Sequence, residues 1–426
     1  MYTWRELTGD FLRGIDMGSE LRYRVATNVM ENASAARLAM ESETRLQCSK
    51  SQKESSKVEV KQEAKERRKA RSGSGMSGNE RISRVDRCSV AVSSVLLAVL
   101  FWANKNFDSR YTDKFLKLQY EYETSRGSYD IGVDDVYIVL TFIVVFCLSR
   151  SFLLEFMLKP VARKRFGLTS NKALQRFGEQ GWSLVYYTFS WSVGFYLYYY
   201  SPYFLNIDHI YQGWPHDRMS GLFKTYYLFQ IAAWFHQIIV LNVEERRKDH
   251  WQMFAHHIIT VALTTGSYYY YFTSIGHVIL ILMDIVDVML SSAKMLKYCG
   301  FSTLCDVMFV VFLFWWIMLR HVAYNYIVYR SVSIIDGLLD GSRCVAGVVQ
   351  KRCLTPVVNN TFITLLCGLQ VITCIWMYLI LKVFVKVITG TGAEDVRSDG
   401  EESSTSEETS DDIELMDEKE EDENED

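Results

Sequence analysis

Eight apolar stretches, separated by polar loops, divide the chain between residues 88 and 387. The bilayer core holds no water for backbone polar groups, so a segment that crosses it folds as an α-helix or joins a closed β-barrel. Apolar runs approaching the roughly 20 residues needed to cross favour helices. The sequence therefore predicts an all-α polytopic membrane protein with about eight transmembrane helices. The predicted spans are residues 88–103, 136–158, 181–200, 222–243, 251–272, 276–293, 304–324 and 361–387.

Average composition hides this pattern, since the mean hydropathy is zero and 23% of residues are charged. The charge is concentrated in the two ends and in the short loops. Residues 394–426 alone contain 18 acidic and 2 basic residues. Such a segment repels itself and does not fold alone. The first 87 residues are also polar, so no cleavable signal peptide is expected.

Four ionisable side chains lie within the two apolar runs between His250 and Lys294: His256, His257, Asp284 and Asp287. Charged groups inside a membrane are costly and usually face a bundle interior, which makes them functional candidates. Counting from the polar ends of a helical hairpin places the histidines and carboxylates at one level, about 10 Å below the same surface. The adjacent histidines diverge by roughly 100°, so at most one can point directly at a given substrate atom.

Several chemical roles fit these four residues. Isolated membrane histidines such as His236 and His277 are as readily explained by packing. A zinc or iron site is a rival explanation, because His and Asp both ligate these metals. The chain has one adjacent histidine pair and no further histidine clusters, so no metal is expected. A histidine near its ordinary pKa of about 6.5 can act as base or nucleophile in acyl transfer, with a carboxylate fixing its tautomer.

The ordered set of motifs resembles the signature of the longevity-assurance family of ceramide synthases, within the membrane domain called TLC. The matching residues are His256-His257-x-x-Thr260, Ser267-Tyr268 and Asp284-x-x-Asp287-x-x-Leu290-x-x-x-Lys294. The segments EERRKDHWQMFAHHIIT, GLFKTYYLFQIAAWFHQ and FWWIMLRH also read like fungal members, so the resemblance covers roughly residues 136–386. The homeodomain-like insert of many animal members is missing, and the segment 324–360 follows no family pattern.

The resemblance implies a TLC bundle of six or seven helices around a central cavity. It implies a fatty acyl-CoA as donor and a sphingoid long-chain base as acceptor, with no bound cofactor and no nucleic-acid partner. The implied catalytic residues are His256, His257, Asp284 and Asp287, and candidate substrate contacts are Ser267, Tyr268, Lys294 and Arg320. Residence among the lipids of the endoplasmic reticulum membrane is also implied, as are homo- or hetero-oligomers or a small accessory subunit. The rival is a non-catalytic TLC protein that senses lipids or assists translocation.

Basic residues in the short loops predict the topology. Three such loops fall on one side, which the positive-inside rule makes cytosolic, so both termini are predicted to be cytosolic. The predicted regions are a cytosolic N-terminal region (1–87), a first helix with a lumenal loop (88–135), the TLC catalytic domain (136–390) and an acidic disordered tail (391–426). The loop 324–360 is then lumenal, where Cys344 and Cys353 are candidates for a disulfide. In the tail, the candidate phosphorylation sites are Ser398, Ser404, Thr405 and Thr409.

Overall fold

The computed structural model describes residues 78–107, 109–211, 214–244, 249–342 and 351–389. Within these ranges the regular secondary structure is helical apart from two short strands, as predicted for an all-α membrane protein. The helices are α1 (Gly78–Asn106), α2 (Ser109–Leu116), α3 (Asp135–Phe152), α4 (Lys159–Phe166), α5 (Asn171–Tyr199), α6 (Gly221–Val243), α7 (His250–Tyr269), α8 (Thr273–Tyr298), α9 (Ser302–Trp316), α10 (Tyr324–Ser342) and α11 (Pro356–Ile388). The strands are β1 (Ser128–Tyr129) and β2 (Met219–Ser220), and a 3₁₀ turn spans Ile207–Ile210.

Two long helical rods contain a π-helical stretch. Leu153–Leu158 joins α3 to α4, and Ile317–Ala323 joins α9 to α10. Such bulges inside α-helices are frequent at functional sites. The second stretch carries Arg320, so its position alone makes this arginine a candidate functional residue.

Each of the eight predicted spans falls on a long helix. Five helical segments are long and apolar enough to cross a membrane: Ile82–Asn106, Asp135–Phe166, Thr273–Tyr298, Ser302–Ser333 and Pro356–Val385. Helices α5, α6 and α7 are not among these five segments. Their crossing of the membrane stays a prediction.

The sequence-based assignment of residues 324–360 as a loop is wrong for its first half. The rod continues as helix α10 to Ser342. Its polar residues include Arg330, which pairs with Asp208, and its buried face carries Tyr324 and Ile327. The helix is therefore amphipathic and supported by packing, which a search for apolar runs does not detect.

The packing arranges α7 and α8 at the centre of the bundle. Helix α8 packs against α5 and α9, while α7 packs against α6 and α11. At one end, α4 and the start of α5 meet the last turn of α8 in a cluster that includes Ala162, Phe177 and Tyr298. At the other end, β1 and β2 pair antiparallel, with Ser128 opposite Ser220. The basic segment 159–176 and the end of α8 therefore share one end of the bundle.

Candidate active site

An elongated cavity lies between α7, α8, α10 and α11. Its volume is about 1080 Å³, including the part that opens to the exterior. Along α7 it extends from His256 to Ser267, which is about 16 Å at 1.5 Å per residue.

The cavity has a polar end and an apolar body. His256, Asp287, Arg320 and Thr373 line the polar end. The body is lined mainly by aliphatic side chains from the surrounding helices, and the far end is lined by aromatic and aliphatic side chains. The residues concerned are Leu263, Ile279, Met283, Leu366 and Leu369 in the body, and Phe272, Leu354 and Phe362 at the far end.

His256 faces the cavity between aromatic rings. Its imidazole lies edge-on to the indoles of Trp234, at 5.4 Å between ring centroids, and Trp376, at 5.2 Å. Its Nδ1 atom is buried and has no hydrogen-bond partner among the described residues. A buried polar atom without a partner is costly, so this nitrogen is suited to accept or donate a hydrogen bond when a ligand is present.

His257 has a different environment and is not among the described residues that line the cavity. Its Nδ1 lies 2.6 Å from the Met253 carbonyl oxygen, and its Nε2 lies 3.2 Å from the Gln237 amide. A carbonyl only accepts, so Nδ1 carries the proton, and Nε2 accepts from Gln237 once the amide orientation is chosen accordingly. A backbone carbonyl therefore fixes this tautomer, whereas the sequence analysis expected a carboxylate.

Asp287 forms an ion pair with Arg320, at 2.8 Å between Oδ1 and a guanidinium nitrogen. Arg320 also donates to the Met283 carbonyl oxygen at 3.1 Å and stacks over the Trp316 ring at 4.2 Å. The π-helical stretch directs this arginine inward, where it is only 5% exposed. The pair places one positive and one negative charge on the cavity wall.

Asp284 lies apart from the histidines in a buried polar network with α5 and α6. Its Oδ2 accepts hydrogen bonds from Ser190 Oγ at 2.7 Å and from Gln230 Nε2 at 3.0 Å. The Gln230 carbonyl oxygen accepts in turn from Tyr186 at 2.7 Å. Side chains of α5 and α6 donate the hydrogen bonds to Asp284, so Asp284 contributes to the site by holding α8 against these two helices.

The remaining predicted contacts divide between the cavity and the core. Ser267 lines the cavity, and its hydroxyl lies 2.5 Å from that of Tyr227. Tyr268 instead points into the core, where it donates to Asp135 Oδ2 at 2.9 Å. Lys294 lies near the C-terminal end of α8 and is partly buried, two turns from Asp287.

Sequence reasoning missed several polar residues around the site. Gln230, Gln237, Trp234 and Thr373 all contact the predicted residues or line the cavity. The criterion that singled out the histidines, a polar side chain inside an apolar run, also applies to Gln230 and Gln237. Within the described ranges, no group of three or more His, Cys, Asp or Glu residues has an arrangement that could hold a metal ion.

The other predicted modification sites are only partly described. Cys353 is disulfide-bonded, and its predicted partner Cys344 lies outside the described residues. Ser398, Ser404, Thr405 and Thr409 also lie outside them.

Comparisons with known proteins match this architecture. The TLC-domain family matches residues 176–382. The sphingosine N-acyltransferase-like protein ALT7 of Alternaria alternata is 38% identical over 308 residues, covering 66% of this chain and 71% of the relative. Sphingosine N-acyltransferase lag1 of Schizosaccharomyces pombe is 37% identical over 291 residues, covering 68% and 73%. Ceramide synthase FUM18 of Gibberella moniliformis is 34% identical over 315 residues, covering 68% and 73%.

Proposed function

The chain belongs to the longevity-assurance family of ceramide synthases, and from this premise we propose that it transfers a fatty acyl group from acyl-CoA to the amine of a sphingoid long-chain base, forming dihydroceramide or phytoceramide. One observation carries the proposal for this chain. A histidine with an unpartnered buried nitrogen and an Asp–Arg pair lie at one end of an elongated cavity that is lined mainly by apolar side chains.

The proposed reaction exchanges one acyl bond for another. The neutral amine of the base attacks the thioester carbonyl, a C–N bond forms, and the C–S bond breaks. The ammonium proton goes to a base on the protein, and the departing thiolate of coenzyme A takes up a proton. The protein therefore has to hold a proton acceptor beside the carbonyl and stabilise the oxyanion that develops there.

We assign the proton acceptor or nucleophile to His256, because it lines the cavity and has a free nitrogen. Arg320 is suited to stabilise the oxyanion, since its Nε is buried without a hydrogen-bond partner among the described residues. Asp287 holds Arg320 in place and balances its charge. His257 supports the wall behind the site through Met253 and Gln237.

The apolar body of the cavity is proposed to hold the acyl chain. In a fully extended chain each bond advances about 1.2 Å, so the 16 Å along α7 accommodates roughly a dozen carbons, with more room toward Phe272 and Leu354.

Residence in the endoplasmic reticulum and cytosolic termini are proposed with the function. The distribution of basic residues supports this orientation. The basic segment 159–176 and the end of α8 lie at one end of the bundle, and loops rich in Lys and Arg mark the cytosolic side of a membrane protein. Acyl-CoA would then approach from the water at this end. Oligomers or a small accessory subunit remain part of the proposal.

The test is an N-acylation assay in membranes from cells that lack their own ceramide synthases. Wild-type protein, supplied with a panel of acyl-CoAs and long-chain bases, should form ceramide and release coenzyme A in equal amounts. His256→Ala should form none, and His209→Ala, which changes a loop histidine outside the cavity, should match wild type. If His256→Ala acylates the long-chain base at the wild-type rate, the role assigned to His256 is overturned.

A further inference from the structure

A second hollow opens on the outer surface between α10 and α11. Its volume is about 840 Å³, part of which is open to the exterior. Val371, which lines it, is 60% exposed, and Cys367 and Cys374 are exposed free thiols. We call this hollow the α10–α11 groove.

The groove lies next to the inner cavity. Val328 and Leu366 line both. Between the two spaces, α10 is attached to α11 by the Tyr324 hydroxyl, which donates to the Leu366 carbonyl oxygen at 2.9 Å. Val328 and Leu366 therefore form part of the wall that separates the two spaces.

Polar groups cross this wall. Gln370, in the groove, bonds to His321 Nδ1 at 2.9 Å, and its amide oxygen accepts from Thr373 at 3.2 Å. Thr373 lines the inner cavity. A chain of hydrogen-bonding groups thus runs from the groove to the polar end of the cavity.

These polar groups lie inside predicted membrane spans, where burying a polar group costs the most free energy. Gln370 is 14 residues from the start of the span Pro356–Val385 and 15 from its end, which places it at the centre of the membrane. Interhelical hydrogen bonding accounts for Gln370 and His321. Asn325 is different, because it also lines the groove, is exposed, and bonds back to the His321 carbonyl oxygen on its own rod. Asn325 lies eight residues from the end of the span Ser302–Ser333, and an amide exposed within a span indicates a ligand with polar groups.

We propose that the α10–α11 groove is the lateral access site for the long-chain base, an amphipathic amino alcohol that reaches the cavity from the bilayer. The alkyl chain packs against the apolar flank of the groove at Val371 and Ile375, while the amine and hydroxyls bond to the amides of Asn325 and Gln370. The head group then passes between Val328 and Leu366 to Thr373. This proposal rests on the proposed function, because it takes its ligand from that reaction.

Two matched substitutions test it. Val371→Trp fills the groove, and Val385→Trp places the same side chain on the same helix at a position that is 58% exposed and outside the groove. Val371→Trp should raise the apparent KM for the long-chain base by about tenfold or more and leave that for acyl-CoA unchanged. Val385→Trp should match wild type in both.

A binding measurement on the wild-type protein does not depend on turnover. A lipid-soluble maleimide should label Cys367 and Cys374, and a long-chain base added first should slow their labelling, while a phospholipid of equal chain length should not. Cys88, an exposed free thiol on α1, is the internal control and should not be protected.

The outcomes separate the two proposals. Wild-type protein that forms no ceramide overturns the proposed function, and the thiol measurement still reports on the groove. If the wild-type protein is active but both Trp variants have the same KM for the long-chain base, the access site alone is overturned. Equal protection of the two thiols by phospholipid also overturns the access site alone. Thiols that resist labelling because another protein chain covers them overturn it as well.

Discussion

Arg320 and Asp287 form an ion pair across the cavity wall, at 2.8 Å, between a π-helical stretch and helix α8. The arginine is almost fully buried, whereas the aspartate side chain is 23% exposed toward the cavity. The pair therefore has its positive member fixed in the wall and its negative member at the surface of the cavity. This arrangement lets the carboxylate respond to a bound ligand while the guanidinium stays in place.

Asp287→Asn should keep the shape of the site and remove the charge that balances Arg320. We expect kcat to fall by about a hundredfold to ten-thousandfold, the range typical of a lost acid–base or charge-stabilising group. The stability should fall too, by up to about 3 kcal/mol, because one member of a largely buried pair is left without its partner. Steady-state kinetics and thermal unfolding in detergent measure the two effects.

The double variant Asp287→Asn with Arg320→Met separates structure from catalysis. Removing both charges should recover much of the lost stability, since no unpaired charge is left. Activity should stay low, and the two substitutions should be strongly non-additive in kcat because they act as one unit. Additive effects on the rate would show that the pair is not one functional unit.

His256 and His257 should respond differently to conservative replacement. Either histidine replaced by alanine should abolish N-acylation. His257→Asn should recover a measurable part of the wild-type rate, because an amide can still donate to the Met253 carbonyl. His256→Asn should recover none, since an amide is no base. Rates measured at saturating donor and acceptor check this, and equal rescue at both positions would contradict the assigned roles.

Gln230 should matter for stability through the Asp284 network. In Gln230→Leu, Asp284 loses one donor and Tyr186 loses its acceptor, and both groups remain buried. Unsatisfied buried polar groups cost about 1–3 kcal/mol each, so a clear fall in the unfolding temperature is expected. Gln237→Leu, which removes the contacts to His257 and Tyr187 and leaves the Asp284 network intact, is the matched control and should cost less stability.

Much of the helix pattern was predictable because apolar run length reports directly on membrane crossing. The eight predicted spans fall on eight helices for this reason. Helix α10 was not predictable in the same way. Its stability depends on packing by Tyr324 and Ile327 and on the Arg330–Asp208 pair. The two members of this ion pair are more than a hundred residues apart in the sequence.

The site was predictable as a set of residues and not as a set of contacts. Asp284 and Asp287 were expected to act together because they are three positions apart on α8. Three residues turn a helix by about 300°, which leaves the two carboxylates roughly 60° apart. This angle is enough for Asp284 to meet Ser190 on α5 while Asp287 meets Arg320. Which neighbour each one meets depends on how α8 is rotated in the bundle.

The acidic tail should be dispensable for the reaction. Deleting residues 394–426 removes a net charge of −16 and no predicted helix. We expect the truncated protein to be expressed and to form ceramide at a rate within about threefold of wild type, with any change reduced at high salt because exposed charges are screened. Complete loss of activity in a stably expressed truncated protein would show that the tail has an essential role.

A charge cluster outside the membrane-spanning segments should give the protein an acid-sensitive stability. Lys351 Nζ donates to Asp130 at 2.8 Å and to Asp217 at 2.7 Å. Burial alone would raise the pKa of Asp130, but the bonds from Lys351, the Ile131 backbone N–H and the Tyr271 hydroxyl outweigh it and lower that pKa. The hydrogen bonds of Lys351 to Asp130, Asp217 and Tyr122 outweigh the effect of burial on Lys351 and raise its pKa.

The directions of these pKa shifts determine the pH range in which the cluster stabilises the folded protein. A lowered pKa of Asp130 contributes stability above the ordinary carboxyl pKa of about 3.9, and this is lost as the pH falls through the lower folded value. A raised pKa of Lys351 contributes stability below the ordinary value of about 10.4, lost only as the pH rises through the folded value. The unfolding temperature should therefore be constant from about pH 5 to pH 9 and fall below about pH 4.

Lys351→Met should remove this behaviour. At pH 7 the variant leaves two carboxylates facing each other, and we expect a loss on the order of 1 kcal/mol, since the cluster is partly exposed to solvent. The difference from wild type should shrink as the pH falls through the lowered pKa of Asp130, below which Asp130 is protonated in both proteins. Lys117→Met, which breaks an exposed pair with Asp113, is the control and should change the unfolding temperature little at any pH. A difference between Lys351→Met and wild type that stays constant down to pH 3 would mean that the cluster contributes through packing and not through its charge.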